Sequence, residues 1–248
     1  MSVKLLSLSD YNLYYGNTKV LSNINVELSQ GEFVCLCGPN GAGKSTLMKA
    51  LMESIPAKNS KERSRIAAFL PQAELSLFDF NVFDTVLSGR FCHTGILGNY
   101  SKNDEELVCE ILNDFGLWEL REKSVKEISG GEFQKVRLAR SFAQDSQFLL
   151  LDEPLSSLDF VVSQDFMELL KEKAYEHKKG VLISIHDINF AARYAKTMVL
   201  LGKYNEKSHS QILVKGSVSE IMTEENLFRI YQKKVKLFSH PETGVPQI

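Results

Sequence analysis

The sequence predicts an α/β fold: a mostly parallel sheet covered by helices on both faces, preceded by an antiparallel β piece and interrupted by an α-helical subdomain. Three observations predict it. From residue 33 onward, short apolar runs alternate with helical stretches, the pattern of strands joined by crossover helices. Before that point, β-rich runs follow one another directly. Between residues 81 and 128 the alternation gives way to helical periodicity.

In chain order, residues 3–8, 20–28 and 32–37 are strands by their β-branched and apolar content. A glycine-rich turn then opens a helix at about Lys44–Glu53. Residues 57–65, AKNSKERSR, are polar and charged and predict a loop; residues 66–70 form a strand ended by Pro71. Within 81–128 the apolar period is clearest over residues 105–115. A helix from about Glu132 leads to the strand Phe148–Leu151, and a helix at about 161–177 leads to a strand at 181–185. A helix over 188–195, a hairpin from 197 to 215 and a helix over 218–231 follow. No linker composition divides the chain, so residues 1–248 are expected to form one domain, with the helical subdomain at roughly 81–140.

Composition narrows the function. Apolar residues make up 44% and charged residues 24% of the 248, as in a soluble globular protein. A net charge of −2 gives no bulk attraction to nucleic acid or acidic lipid, so no nucleic-acid partner is expected. The first residues lack the apolar core of a signal peptide, and no apolar run approaches the roughly 20 residues that cross a bilayer. A cytoplasmic protein is therefore expected. Cys35 and Cys37 alternate in an apolar run and should face one side of a buried strand as inert thiols.

The chemistry begins at Gly38-Pro39-Asn40-Gly41-Ala42-Gly43-Lys44-Ser45-Thr46, which contains a complete P-loop pattern between an apolar strand and a helix. Its glycines let successive backbone N–H groups curl around a phosphate chain, and the helix presents its positive end to the same anion. Lys44 adds a charge for the β- and γ-phosphates, and Ser45 a hydroxyl for Mg²⁺. Downstream, the apolar run Phe148–Leu151 delivers Asp152 and Glu153 at its C-terminal end, where α/β sheets place their sites. Asp152 suits Mg²⁺; Glu153 suits proton acceptance from an attacking water. Gln72 and His186 also end strands and should converge on the γ-phosphate. His93, His177, His209 and His240 lack such a setting and are expected on the surface. The loop is similar to that of the P-loop NTPases, and this resemblance implies a RecA-like core that binds ATP and Mg²⁺.

Ser129-Gly130-Gly131-Glu132 has the spacing of a capping box, in which Ser129 caps a helix and Glu132 answers three residues later. The box does not explain the two glycines, which are poor helix formers but let a phosphate approach the backbone. With this segment in place, the chain resembles the ABC ATPase family through nearly its whole length. Residues 38–46 are similar to the Walker A loop, Gln72 to the Q-loop glutamine, Ser129 to Glu132 to the signature, residues 148–153 to the Walker B strand, residues 156–159 with Asp159 to the D-loop, and His186 to the switch histidine. Tyr15, just before Gly16, resembles the aromatic that stacks on adenine; Tyr11 and Tyr14 lack the glycine. The chain departs from the family at two points, with ISGGE for the usual LSGGQ and SSLD for the usual alanine-bearing D-loop.

The resemblance implies that two such chains stack head to tail, each ATP lying between the P-loop of one and the signature of the other, and that they drive transmembrane permease subunits served indirectly by a substrate-binding protein. It implies a place on the cytoplasmic face of the membrane. Residues 82–104, the run SGGEFQKVRLARSFAQDSQFLLLDEP and the short tail most resemble the importer ATPases for iron–siderophore, haem and vitamin B12. The ATPases of zinc or manganese importers are the alternative, and a soluble ATPase of iron–sulfur cluster assembly a more distant one. Phe78, Phe80 and Phe83 follow Gln72, and the expectation is that they pack inside the helical subdomain, with one or two free to meet a permease.

Overall fold

The computed structural model describes residues 3–73, 79–95, 98–203 and 211–248, the side chains of 211–213 excepted. Strands β1 (Leu5–Tyr15) and β2 (Thr18–Ser29) form an antiparallel hairpin closed at Gly16 and Asn17, with Gly16 at φ 57°. Both strands outrun the expected ones. Polar residues beyond residue 8 serve the pairing where its register slips: Asn25 Oδ1 accepts from the N–H of Asp10, and Asn12 Oδ1 from that of Asn23. Ile24, Val26 and Leu28 alternate inward.

The main sheet comprises β3 (Phe33–Cys37), β4 (Ala67–Leu70), β5 (Phe148–Leu151), β6 (Gly180–Ser184), β7 (Thr197–Gly202) and β8 (Gln211–Ser217) in the order β4-β5-β6-β3-β7-β8. All pairs are parallel except β7–β8. The sheet is mixed but mostly parallel, with helices on both faces, as expected. Cys35 and Cys37 are fully buried on one face of β3, and Val34 and Leu36 on the other. Burial pushes both thiols up, Cys37 to about 12, so neither is a nucleophile.

Helix α1 (Lys44–Glu53) follows β3. Contrary to the loop expected at 57–65, Ser60–Ile66 is a helix, α2. Asn59 caps it by accepting from the N–H of Glu62 at 2.9 Å, Arg65 Nε donates to the carbonyl of Cys92 at 2.7 Å, and Ile66 is buried. A good cap and strong helix formers outweigh the charged composition.

The helical subdomain contains α3 (Val82–Leu87), a 3₁₀ turn at Ser88–His93 and α4 (Lys102–Asp114); α5 (Gly130–Ala143) joins it to the rest. Val136, Ala139 and Ala143 of α5 sit in the core of this subdomain, whereas Leu138 sits in the core beneath the main sheet. The 3₁₀ turn lies so close to α5 that a Cβ on Gly89 would come within 2.4 Å of the carbonyl of Arg140. Arg90 ties the same junction, donating to Asp104 at 2.7 Å and to the carbonyl of Ala143 at 2.9 Å.

Helix α6 (Phe160–Tyr175) is capped by Asp159, and α7 (Ile188–Tyr194) by Asp187. The single helix expected at 218–231 is two, α8 (Val218–Ile221) and α9 (Glu224–Tyr231), separated where Thr223 caps the second. Short strands β9 (Phe238–Ser239) and β10 (Pro246–Gln247), not foreseen, pair near the end. Phe83 is half-buried against the helical core and Phe80 is exposed; Phe78 and His209 lie outside the described residues. His93 is not a surface residue as expected: it is half-buried, with Nε2 2.8 Å from the carbonyl of Gln144. No described helix is long and apolar enough to cross a membrane.

Candidate active site

The loop between β3 and α1 encloses one side of a cleft of about 400 Å³. Asn40, Gly41, Ala42, Gly43, Lys44, Ser45 and Thr46 line it, together with Gln72, Glu153 and His186 from the ends of three other sheet segments. Gly41 and Gly43 hold positive φ, 75° and 90°, so the loop can curl before the helix. Gly38 faces the chain's own backbone: a Cβ there would come within 2.1 Å of the carbonyl of Leu201. The first turn of α1 directs N–H groups without intrahelical acceptors toward the cleft. Pro39 contributes its carbonyl, which receives the N–H of Ala42.

Glu153 is the centre of the site. It is 8% exposed and follows β5 at φ 50°, a left-handed turn that is rare for a side chain of this kind. One oxygen, Oε2, receives Gln72 Nε2 at 2.6 Å and lies 2.6 Å from His186 Nε2. The other, Oε1, lies 3.7 Å from Lys44 Nζ. Lys44 is 5% exposed and also donates to the carbonyl of Gly38 at 3.0 Å. Three of the residues expected at the site, Lys44, Gln72 and His186, thus meet around the carboxylate of the fourth, Glu153.

Asp152 is buried beside this group, and its Oδ1 accepts from Ser184 Oγ at 2.8 Å. Ser184 Oγ in turn accepts from the N–H of Glu153 at 2.8 Å. One hydroxyl therefore fixes both acidic residues. Ser184 went unpredicted; the signal available was a lone polar residue ending the apolar run GVLIS. The Ser45 hydroxyl, the Asp152 carboxylate and the amide oxygen of Gln72 are all oxygen donors, the set that a hard cation such as Mg²⁺ takes.

The remaining predicted residues lie elsewhere. Tyr15 does not line the cleft; the residue is 60% exposed. It is opposite Thr18 in the hairpin register, which places it on the same face as Val20, and Val20 does line the cleft. Ser129 and Gly130 are exposed, and Gly131 lies against the backbone of Ser157. The capping box is complete: Glu132 Oε2 accepts the N–H and the hydroxyl of Ser129, both at 2.7 Å, and the N–H of Glu132 donates back to Ser129 Oγ. These bonds hold the Glu132 carboxyl below its usual range, the Ser129 hydroxyl first and its N–H second. Asp159 accepts from the N–H of Val162 as the cap of α6. Neither the Ser129–Glu132 segment nor Asp159 reaches its own chain's cleft.

The sequence profile of the family described as ABC transporter matches residues 21–156. Over its full length the chain is 33% identical to the ferric enterobactin transport ATP-binding protein of Escherichia coli (strain K12), covering 94% of that protein. It is 30% identical to the hemin import ATP-binding protein of Shewanella denitrificans, over 98% of this chain and all of that one. Among solved structures, a metal-chelate type ABC transporter in an inward-facing conformation superposes with a TM-score of 0.81 at 27% identity, over 99% of this chain and 95% of that one. With the loop, the paired acids and the ordered motifs placed as described, this chain belongs to the ABC transporter family, as an ATP-hydrolysing ATP-binding domain.

Proposed function

We propose that this chain is the motor of an importer that takes up an iron chelate such as a siderophore complex, haem or cobalamin. Separate transmembrane permease subunits would form the pore, fed by a substrate-binding protein, with this chain on their cytoplasmic face. The reading treats residues 1–248 as one domain. It is supported by the names of the relatives, which include ferric enterobactin, hemin and iron(3+)-hydroxamate import. A zinc or manganese cargo is the second reading, favoured by a 34% identical zinc transport relative in Streptococcus pneumoniae and a 30% identical manganese one in Halalkalibacterium halodurans.

The observation that carries the mechanism is the separation of the site into two halves. The P-loop cleft and Glu153 face each other, whereas Ser129 and Gly130 stand exposed away from them. A second copy, placed head to tail, supplies those glycines and Asp159 to the first copy's nucleotide. Tyr15 stacks on adenine, the loop of residues 38–46 cradles the phosphates, and Lys44 moves from the Gly38 carbonyl to the β- and γ-oxygens. Glu153 accepts a proton from the attacking water, and Gln72 and His186 hold the carboxylate in place. Mg²⁺, when bound at Ser45, Asp152 and Gln72, supplies charge neutralisation at the phosphate oxygens.

The test is Glu153→Gln in the purified protein with ATP and Mg²⁺. Turnover should fall by at least about 10²-fold, the contribution of a positioned base, while ATP still binds. Light scattering should then find an ATP-dependent dimer, which adding Ser129→Arg prevents. A Glu153→Gln protein that stays monomeric and hydrolyses ATP at the native rate would refute both the base and the sandwich.

A further inference from the structure

Helix α5, which starts at Ser129's cap, carries two buried polar side chains one turn apart, Gln134 and Arg137, each 5% exposed. Gln134 Nε2 donates to the carbonyl of Pro154 at 2.7 Å. Arg137 Nη1 donates to Gln134 Oε1 at 2.6 Å, and its Nη2 to the carbonyl of Pro71 at 2.5 Å. Pro154 follows Glu153, and Pro71 precedes Gln72. Since Gln72 donates to Glu153 at 2.6 Å, the bonds close a ring that runs from helix to acid strand to glutamine and back.

Burying a guanidinium is costly unless its donors are used, and an apolar side chain would pack on α5 more cheaply. The planar fork offers what an apolar or ammonium group cannot: separate N–H donors at fixed angles that reach Gln134 and Pro71 together. We propose that Arg137 is a positioning residue for hydrolysis. With Gln134 it locks the segments carrying Gln72 and Glu153 to the helix that begins at the glycine clamp. A shift of that helix is thereby passed to the carboxylate of the same chain. The proposal rests on Glu153 being the base.

The experiment compares Arg137→Met and Arg137→Lys with Gln134→Met, the Arg137→Met/Gln134→Met double variant and Arg90→Met, all as purified full chain. Steady-state ATPase, fluorescent-nucleotide binding and urea unfolding are measured. Arg137→Met should lower kcat by roughly 10- to 100-fold, the range of a small misplacement of reacting groups, with nucleotide affinity retained. Gln134→Met should do the same, and the double variant no more than either, because the ring acts as a unit. Arg137→Lys, which keeps the charge but not the fork, should resemble Arg137→Met, and it carries the test alone if Arg137→Met does not fold. Arg90→Met, which breaks a comparable buried link away from the cleft, should lower the unfolding midpoint and leave kcat alone. Native kcat in Arg137→Met, full activity in Arg137→Lys, additive losses, or an equal loss in Arg90→Met would each overturn the proposal. If Glu153→Gln itself keeps native turnover, the base assignment has failed first; if only the Arg137 variants keep it, the strut alone has.

Discussion

His186 Nε2 stands 2.6 Å from Oε2 of Glu153, the oxygen that Gln72 already occupies. A carboxylate oxygen only accepts, so His186 must carry its proton on Nε2 in this arrangement. Both donors gather on one oxygen, and Oε1 is left facing Lys44 and the cleft. The arrangement leaves Oε1 the less encumbered oxygen of the carboxylate, on the Lys44 side.

Lys44 lies 3.7 Å from that oxygen and is the only lysine among the described residues lining the cleft. Replacing it with alanine removes the charge intended for the β- and γ-phosphates. Lys44→Ala should bind ATP weakly by calorimetry and show no measurable turnover. Native rates would remove this cleft as the nucleotide site.

Ser184→Ala deletes the hydroxyl shared by Asp152 and the Glu153 N–H. It leaves a buried donor unpaired, at a cost of about 1–3 kcal/mol. The unfolding midpoint in urea should drop accordingly. The rate should drop as well, because the Glu153 backbone loses its anchor; a destabilised variant with native kcat would separate the two effects.

Tyr15→Ala and Tyr14→Ala distinguish two exposed neighbours. Only Tyr15 shares a face with Val20 at the cleft. Stacking on a base is worth about 1–3 kcal/mol, so Tyr15→Ala should raise the KM for ATP by about 5- to 150-fold and leave kcat near native. Tyr14→Ala should change neither.

Asp104 gives a pH-dependent stability. Burial pushes its carboxyl up, but bonds from Ser101 and the Arg90 guanidinium together outweigh burial and hold it at about 2. A folded-state value below the unfolded one stabilises the protein above the unfolded value and loses that contribution as pH falls from about 4 towards 2. At neutral pH the contribution is on the order of 2 kcal/mol. Asp104→Asn should therefore lower the urea midpoint at pH 7, and the gap to the native protein should narrow below pH 4.

Much of this architecture was legible from periodicity. The strands of the main sheet are uninterrupted apolar runs because both faces are covered, and such runs carry their own signal. The residues of the cleft were legible for another reason: strand ends in a parallel sheet converge, so Gln72, Glu153 and His186 could be placed together before any contact was known. What escaped was structure made by side chains bonding to backbone. Asn25 and Asn12 extend the first hairpin, Asn59 starts α2, and Thr223 splits the last helix. Ser184, Gln134 and Arg137 escaped likewise, since their partners lie far away in sequence and no local spacing announces them.

The backbone at Glu153 has a consequence for how this protein tolerates change. With φ at 50°, the position suits asparagine or glycine better than glutamate. With Glu153 as the proposed base, random substitution screened for thermal resistance should find sturdier chains at this residue that have lost turnover. The native chain holds this less comfortable turn with Glu153 lining the cleft, where the proposed reaction needs its carboxylate. Selection for heat resistance and selection for turnover pull this one residue in opposite directions.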